Sequence, residues 1–149
     1  MNITTRQGVK EDIPSVFELV KELAVFERAL HMVSNNVDKM KRDYDEKLFD
    51  FHVAEVDAGI VGISLYYFRY STWRGKMLYM EDIIVTEKQR GKGLGKLLFD
   101  KVLEISKEKG CSGMVWQVLD WNEPAIKFYK NYGAAIEDGW LNASVTHHN

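Results

Sequence analysis

The spacing of apolar residues predicts a run of antiparallel strands followed by alternating helices and strands. Apolar residues at intervals of three and four after Asp12 predict a first helix, and Ser34-Asn35-Asn36 can cap a weaker second one. Segments rich in β-branched and aromatic residues predict strands at 3–6, 49–56, 60–70, 76–85 and 114–119. Helical periodicity returns at 96–109 and 124–132, and each of these segments is followed by a glycine.

The connections between these elements predict the fold class. Asp57-Ala58-Gly59 is typical of a three-residue hairpin with glycine at a positive φ, and residues 71–75 turn the chain into the next strand. Three consecutive antiparallel strands then lead into a strand-helix-strand crossover. This order predicts a single α+β (mixed α/β) domain over 1–149, with a twisted sheet that is partly antiparallel and partly parallel.

A glycine-dense loop joins the 76–85 strand to the next helix. It reads Arg90-Gly91-Lys92-Gly93-Leu94-Gly95-Lys96. Glycines allow consecutive backbone N–H groups to turn inward, and the N-terminus of the following helix attracts negative charge. Arg90 and Lys96 add positive charge, so the loop is suited to a pyrophosphate. The glycine spacing differs from G-x-G-x-x-G and the loop follows an antiparallel meander, which disfavours a nicotinamide-binding Rossmann fold.

Two segments together resemble the GNAT superfamily of acetyl-CoA-dependent N-acetyltransferases. Residues 90–95 satisfy the family's [Gln/Arg]-x-x-Gly-x-[Gly/Ala] loop, and Asn122 and Tyr129 match family residues before and within the next helix. Further segments are similar to the diamine acetyltransferase branch, which includes spermidine/spermine and thialysine N-acetyltransferases. They are Tyr66-Tyr67-Phe68, Tyr70-Ser71-Thr72-Trp73, Leu78-Tyr79-Met80-Glu81-Asp82 and Leu119-Asp120-Trp121-Asn122.

The resemblance implies acetyl-CoA as a co-substrate, held in a cleft between two parallel strands that splay apart. The strand before the loop would pair its backbone with the pantetheine arm, the loop would hold the phosphates, and the start of the last helix would complete the site. The residues implied are Ile83, Ile84, Val85, Arg90, Gly91, Lys92, Gly93, Leu94, Gly95, Lys96, Asn122, Pro124 and Ala125. For Asn122, helix capping explains the residue type equally well.

The same resemblance implies two catalytic residues. Tyr129 matches the family's general acid, whose phenol protonates or stabilises the leaving thiolate. Glu81 matches the general base of the diamine branch, acting through water, although a carboxylate there also attracts a cation. Alternation along the strand predicts that Glu81 and Asp82 face opposite sides of the sheet, so only one of them can face a given cleft. The resemblance favours Glu81, and for Asp82 a solvated or helix-capping position is as plausible as a role in the site.

Acidic and aromatic residues predict the substrate class. Acids attract a small cationic amine by charge, and aromatic rings bind it by cation–π contact. The candidate substrate-binding residues are Phe26, Glu27, Trp73, Glu81, Asp120 and Asp138. Ser71 stands where the polyamine enzymes have an acid, which favours a shorter diamine or a thialysine- or lysine-like amine, attacking acetyl-CoA directly in a ternary complex. The alternatives are another acceptor, such as a protein amine or an amine-bearing drug, and a non-catalytic acetyl-CoA-binding module.

Composition narrows the partners. A formal charge of −2 over 149 residues argues against a nucleic-acid partner. The sequence has no apolar run of about 18 residues and opens without the apolar core of a signal peptide, so we expect a cytoplasmic protein without a membrane partner. It has no His or Cys cluster with metal-ligand spacing, so we expect no metal. The diamine branch implies a homodimer, and the short segment after Trp140 leaves room for only a brief last strand.

Overall fold

A five-stranded sheet organises the longer of the two units of this chain. The computed structural model describes residues 2–148, which divide into one unit ending at Gln117 and another beginning at Val118. The strands, in sheet order, are β1 (Ile3–Gln7), β2 (Asp50–Val56), β3 (Gly59–Ser71), β4 (Gly75–Val85) and β5 (Gly113–Val115). The helices of this unit are α1 (Ile13–Phe26), α2 (Val37–Asp45) and α3 (Leu94–Glu108).

The second unit contains one helix, α4 (Glu123–Lys130), which is slightly shorter than predicted. No strand follows β5 in the described residues, so the brief last strand expected after Trp140 is not formed there. Met1 and Asn149 lie outside the described residues. The single domain over 1–149 stays a prediction.

The sheet is mixed, as the sequence predicted. β1 to β4 pair as antiparallel neighbours, whereas β5 runs parallel to β4. The first four strands lie within one residue of their predicted bounds, but the prediction of a strand over 114–119 is wrong in length, since β5 ends at Val115. β5 therefore covers only the Met77–Tyr79 part of β4, and β4 continues beyond it.

The β2–β3 hairpin differs from its predicted form. Asp57 and Ala58 carry the positive φ values, 51° and 68°, and β3 begins at Gly59, which pairs directly with Val56. Positive φ at both central residues is typical of a two-residue type I′ turn. Asn2 offsets the strain, because its backbone N–H donates to the Asp57 carboxylate at 3.1 Å and its carbonyl accepts from the Asp57 N–H at 3.0 Å.

Helices cover both faces of the sheet. On one face, α1 packs into a core with sheet residues of β2, β3 and β4. Its buried members include Ile13, Val16, Phe17 and Leu19 of α1, with Val53, Ile63, Leu65 and Ile84 of the sheet. On the other face, Leu94 and Leu98 of α3 pack on Ala54, with Ile83 and Val85 beside them. Successive residues near the end of β4 therefore face α1 and α3 in turn.

Of the two predicted helix N-caps, Asn36 caps its helix through its side chain and Asp12 does not. The Asn36 side chain caps α2 by accepting from the Lys39 N–H at 2.8 Å. Asp12 makes no side-chain cap to α1, since its oxygens accept instead from the Val9 N–H and from both terminal nitrogens of Arg6, at 2.8 to 2.9 Å. The Arg6 guanidinium lowers the pKa of Asp12. The ion pair thus fixes the entry of α1 against β1.

We expect Gly8→Ala to destabilise the fold by about 1–3 kcal/mol, because a Cβ there would overlap the fully buried ring of Phe51. The free energy of unfolding in urea measures this. Gly59→Ala is the matched control, since its Cβ would meet only the Val56 carbonyl at 3.6 Å. Equal stability of the two variants would show that Phe51 moves aside without cost.

Candidate active site

A β-bulge in β4 lies at the centre of the candidate site. Tyr66 of β3 pairs with Met80, but its neighbour Leu65 pairs with Asp82, so Glu81 is an extra residue without a partner in the ladder. Two residues of the bulged strand then stand opposite one residue of its neighbour, which breaks the alternation of side chains.

The bulge corrects the prediction that Glu81 and Asp82 face opposite sides of the sheet. Asp82 stands opposite Leu65, which belongs to the core on the α1 face. Tyr67, two residues further along β3, lies on that same face, and its hydroxyl donates to the Glu81 carboxylate at 3.0 Å. Both carboxyl groups therefore lie towards α1.

A third carboxyl group belongs to the same electrostatic environment. The pKa of Asp82 is raised to about 7, first by burial and then by the negative charges of Glu81 and Glu27. Glu27 ends α1, and burial raises its own pKa. The pKa of the Tyr67 phenol rises to about 12, first through burial and then through its bond to Glu81. The α1 end and the β4 bulge together form an acid cluster of Glu27, Glu81 and Asp82.

The glycine loop follows directly from the end of β4. Gly91 and Gly93 have φ values of 78° and 81°, in the left-handed region that glycine favours. Gly93 is the N-cap of α3 and provides no side-chain cap. The helix begins at Leu94, before the predicted start at 96, so Gly95 lies in its first turn. A Cβ at any of the three glycines would meet nothing within 4 Å, which leaves open space over backbone N–H groups.

The end of α1 holds this loop in place. Glu22 accepts from the Thr86 hydroxyl at 2.8 Å and from the Glu87 N–H at 3.1 Å. Arg90 donates to the Val85 carbonyl at 3.0 Å, and its guanidinium lies 3.8 Å from Glu22 and 5.6 Å from the centre of the Phe26 ring. α1 therefore contacts both the loop, through Glu22 and Phe26, and the acid cluster, through Glu27.

The loop lysines lie near acceptors of their own. Lys92 donates to Gln89 at 2.8 Å, and Lys96 pairs with Asp100 at 2.7 Å, one turn further along α3. These two lysines and Arg90 keep positive charge around the start of α3.

The end of β4 has one edge that no strand covers in the described residues. β5 pairs only with Met77–Tyr79, so β3 is the sole ladder partner of Ile83, Ile84 and Val85. An extended chain can add to such an edge through backbone hydrogen bonds. The open edge runs from the acid cluster to the glycine loop.

Trp73 lies far along β4 from the acid cluster. It sits in the β3–β4 turn with 92% of its surface exposed, roughly 20 Å from Glu81 at about 3.3 Å per strand residue. The fold of one chain does not bring these two predicted substrate residues together.

The remaining predicted residues belong to the second unit. The Asn122 side chain accepts from the Ala125 N–H at 3.3 Å, so it caps α4, and Pro124 occupies the first turn. Tyr129 is buried, with the Phe128 ring centre 5.5 Å from its own. Asp120 and Asp138 are exposed.

Sequence reasoning missed three residues that shape the site. The sequence favours Glu81 and leaves the role of Asp82 open, because the bulge has no signal in a single sequence. Tyr67 is the partner of Glu81, and Glu22 ties α1 to the loop. Both act across elements that are distant in sequence.

The described part of the chain was compared with the requirements of a metal site and of a membrane-spanning helix. Within it, no group of three or more His, Cys, Asp and Glu side chains is arranged to hold a metal ion. None of its helices is both long enough and apolar enough to cross a membrane.

Comparison with known proteins defines the class. The profile of the acetyltransferase (GNAT) family matches residues 14–134. Among solved structures, an aminoglycoside acetyltransferase from an uncultured soil metagenomic sample, in complex with trehalose, superposes with a TM-score of 0.80 at 18% identity, covering 98% of this chain and 97% of the other. The chain belongs to the GNAT family, and its mixed sheet flanked by helices is the fold of that family's structures.

Curated relatives define the branch. The chain is 38% identical to a thialysine N-epsilon-acetyltransferase of Mus musculus, covering 91% of this chain and 88% of the relative. It is 35% identical to a spermidine/spermine N(1)-acetyltransferase-like protein 1 of Homo sapiens, covering 91% of this chain and 21% of that protein. This chain is an N-acetyltransferase, and its similarities match the diamine branch.

We expect Asp82→Asn to gain stability over the wild type as pH rises. The native state keeps Asp82 protonated up to about pH 7, whereas the unfolded chain loses that proton at about pH 3.9. The contribution of Asp82 to the free energy of unfolding is therefore fully present below about pH 4. It falls by at most about 4 kcal/mol as the pH rises through 7. Urea unfolding at pH 4 and pH 8 measures the effect.

Asp38→Asn, at an exposed carboxyl on α2, is the control and should show no such gain. An Asp82→Asn difference that stays constant between the two pH values would show that the native environment does not disfavour the charge.

Proposed function

We propose that this chain transfers the acetyl group of acetyl-CoA to a primary amine of a small cationic substrate, by direct attack in a ternary complex. The observation that carries the proposal is the acid cluster, two members of which lie on the strand that leads into the glycine loop. The cluster concentrates negative charge next to a loop suited to phosphates. An enzyme that joins a cationic acceptor to an anionic donor requires both.

The acid cluster suits an ammonium ion. An alkyl amine with a pKa of about 10.4 is protonated at neutral pH, so it binds as a cation and must lose a proton before it attacks. Glu81 is exposed at the bulge and its carboxylate is oriented by Tyr67, so it is suited to bind the ammonium and to accept its proton, directly or through water. Glu27 and Phe26 at the end of α1, with Asp138, are the other proposed substrate contacts, whereas Trp73 in the β3–β4 turn lies too far from Glu81 to share a site with it in one chain.

The loop fits the pyrophosphate of acetyl-CoA. Its left-handed glycines, the open space above them and the α3 N-terminus without a side-chain cap provide N–H donors for anionic oxygens. Residues 90–96 would hold the phosphates, and the uncovered edge of Ile83, Ile84 and Val85 would pair with the pantetheine amides. The backbone N–H groups near that edge would stabilise the carbonyl oxygen as it gains negative charge. Asn122, Pro124 and Ala125 at the start of α4 are proposed as further contacts.

Tyr129 is proposed as the general acid. A thiol has a pKa of about 8.5 and a phenol one of about 10, so donating a hydrogen bond to the leaving thiolate contributes even without complete transfer. Tyr129 is the buried residue of α4, which gives its ring a fixed position within that helix.

Ser71 favours a short amine. Its hydroxyl oxygen accepts from the backbone N–H groups of Trp73 and Arg74 at 3.3 and 3.1 Å, so it stabilises the β3–β4 turn and brings no charge to bind a further cationic centre. A diamine or a thialysine- or lysine-like amine therefore fits better than a long polyamine, in agreement with the name of the Mus musculus relative.

The alternatives are a different acceptor, such as a protein amine or an amine-bearing drug, and a non-catalytic acetyl-CoA-binding module. Glu81 and Tyr129 together argue against the last. The resemblance to the diamine branch also supports a homodimeric enzyme located in the cytoplasm.

The test is thiol release from acetyl-CoA with thialysine, lysine, short diamines, spermidine and spermine. We expect release with a short amine, little with spermine, and a fall of about 10²-fold or more in kcat for Tyr129→Phe, because the variant has no proton to share with the thiolate. Acetyl-CoA affinity should stay nearly unchanged.

Tyr132→Phe, an adjacent phenol on the turn after α4, is the control and should retain turnover. A fully active Tyr129→Phe enzyme would remove Tyr129 from the chemistry. Acetyl-CoA binding without release with any amine would favour the binding module.

We expect Gly93→Asp to abolish acetyl-CoA binding, because it adds a carboxylate where the phosphates are proposed to lie. Gly93→Asn is the matched control, since asparagine has the same shape, tolerates the left-handed conformation and carries no charge. Calorimetric titration with acetyl-CoA should show much weaker binding for the aspartate variant than for the asparagine variant. Equal affinity in the two would place the phosphates elsewhere.

A further inference from the structure

Asp82 occupies an unusual environment for a carboxylate. It stands opposite the buried Leu65 and lies on the α1 face of the sheet, as Ile84 does. Its carboxyl oxygens make no hydrogen bond or ion pair within residues 2–148. The charged groups that act on it are Glu81 on its own strand and Glu27 at the end of α1, both negative. Shielding and like charge both favour a proton on Asp82.

Glu81 occupies the opposite kind of environment. It is exposed, and Tyr67 on the neighbouring strand donates a hydrogen bond to its carboxylate. Such a bond fixes the direction of the carboxylate. The ring of Tyr67 packs against that of Tyr79 with centres 5.4 Å apart, and the guanidinium of Arg69 lies 4.9 Å from the centre of the Tyr79 ring.

Two adjacent carboxyl groups thus occupy different environments, since Asp82 faces the core and Glu81 is exposed and hydrogen-bonded to Tyr67. Such a difference can divide the work of a site, because the shielded carboxyl of Asp82 exchanges a proton near neutral pH while the exposed carboxyl is open to a cation. The bulge makes this possible here, since without it the two side chains would face opposite sides of the sheet.

We propose that Asp82 accepts the proton of the bound ammonium, and that Glu81, oriented by Tyr67, holds the cation. This deepens the proposed function and rests on it, and it moves the role of proton acceptor from Glu81 to Asp82. One N–H bond of the ammonium breaks and its proton moves to Asp82, directly or across one water. The freed lone pair forms the C–N bond as the C–S bond breaks, and the second N–H proton ends on the thiol. Asp82 later returns its proton to solvent.

The two assignments predict different pH profiles. The test measures kcat/KM for the amine, at saturating acetyl-CoA, in the wild type, Asp82→Asn and Glu81→Gln. The wild type should show a rising limb with a midpoint near pH 7. Asp82→Asn should lose that limb, with kcat lower by about 10²–10⁴-fold. Glu81→Gln should keep the limb at lower pH, because a like charge is removed, and should mainly raise KM.

Glu27→Gln should also move the limb to lower pH, by less than Glu81→Gln, because the Glu27 charge acts more weakly on Asp82. Asp82→Glu retains a carboxyl group and should restore part of kcat together with the limb. A limb that persists in Asp82→Asn and disappears in Glu81→Gln would overturn the proposal and make Glu81 the base.

A measurement without turnover separates this proposal from the proposed function. In ¹³C-carboxyl NMR of the wild type, one aspartate should titrate near pH 7, be missing in Asp82→Asn and titrate lower in Glu81→Gln. An aspartate at 82 that titrates near pH 4 would overturn the proposal even in an active enzyme. A wild type that shows the titration but acetylates no amine would instead reject the proposed function.

Discussion

The extra residue in β4 is the constraint on which the site depends. A regular strand would give the core one of the two acids and send the other to the opposite face. The bulge places both towards α1 and leaves Glu81 outside the ladder. It also comes just after the last residue that β5 covers, so the irregular backbone and the uncovered edge lie together. The position of the acids and the access to them therefore have one structural origin.

The stability of the fold and the chemistry of the site make opposite demands on β4. The end of β4 carries Ile83, Ile84 and Val85, which pack into the cores on both faces of the sheet. The same strand carries Asp82, whose surroundings disfavour a negative charge on its carboxyl group. The surrounding apolar packing holds the carboxyl in place against this cost. Proteins commonly keep such local cost at functional sites, where the surrounding structure compensates for it.

The structural features that depend on residue pattern could be predicted from the sequence, whereas those that depend on how strands pair could not. Periodicity predicts four strands to within one residue, and the glycines of residues 90–95 predict the tight loop that leads into α3. β5 was predicted too long, because apolar residues continue after the ladder ends at Val115. The bulge could not be predicted, since it arises from the register between Leu65 and Tyr66 and their partners. The hairpin was assigned its positive φ at Gly59 because glycine favours it, yet Asp57 and Ala58 adopt it with support from Asn2.

The last two turns of α1 contact the loop and the acid cluster at once. Glu22 bonds the start of the loop, Phe26 lies against Arg90, and Glu27 joins the acids. A rigid helix that contacts two places transmits a displacement from one to the other. Whatever draws Arg90 towards an anion also acts on the segment that ends in Glu27, and by thermodynamic reciprocity the effect is equal in both directions. The two proposed co-substrates are thus expected to bind cooperatively, because α1 contacts both proposed sites.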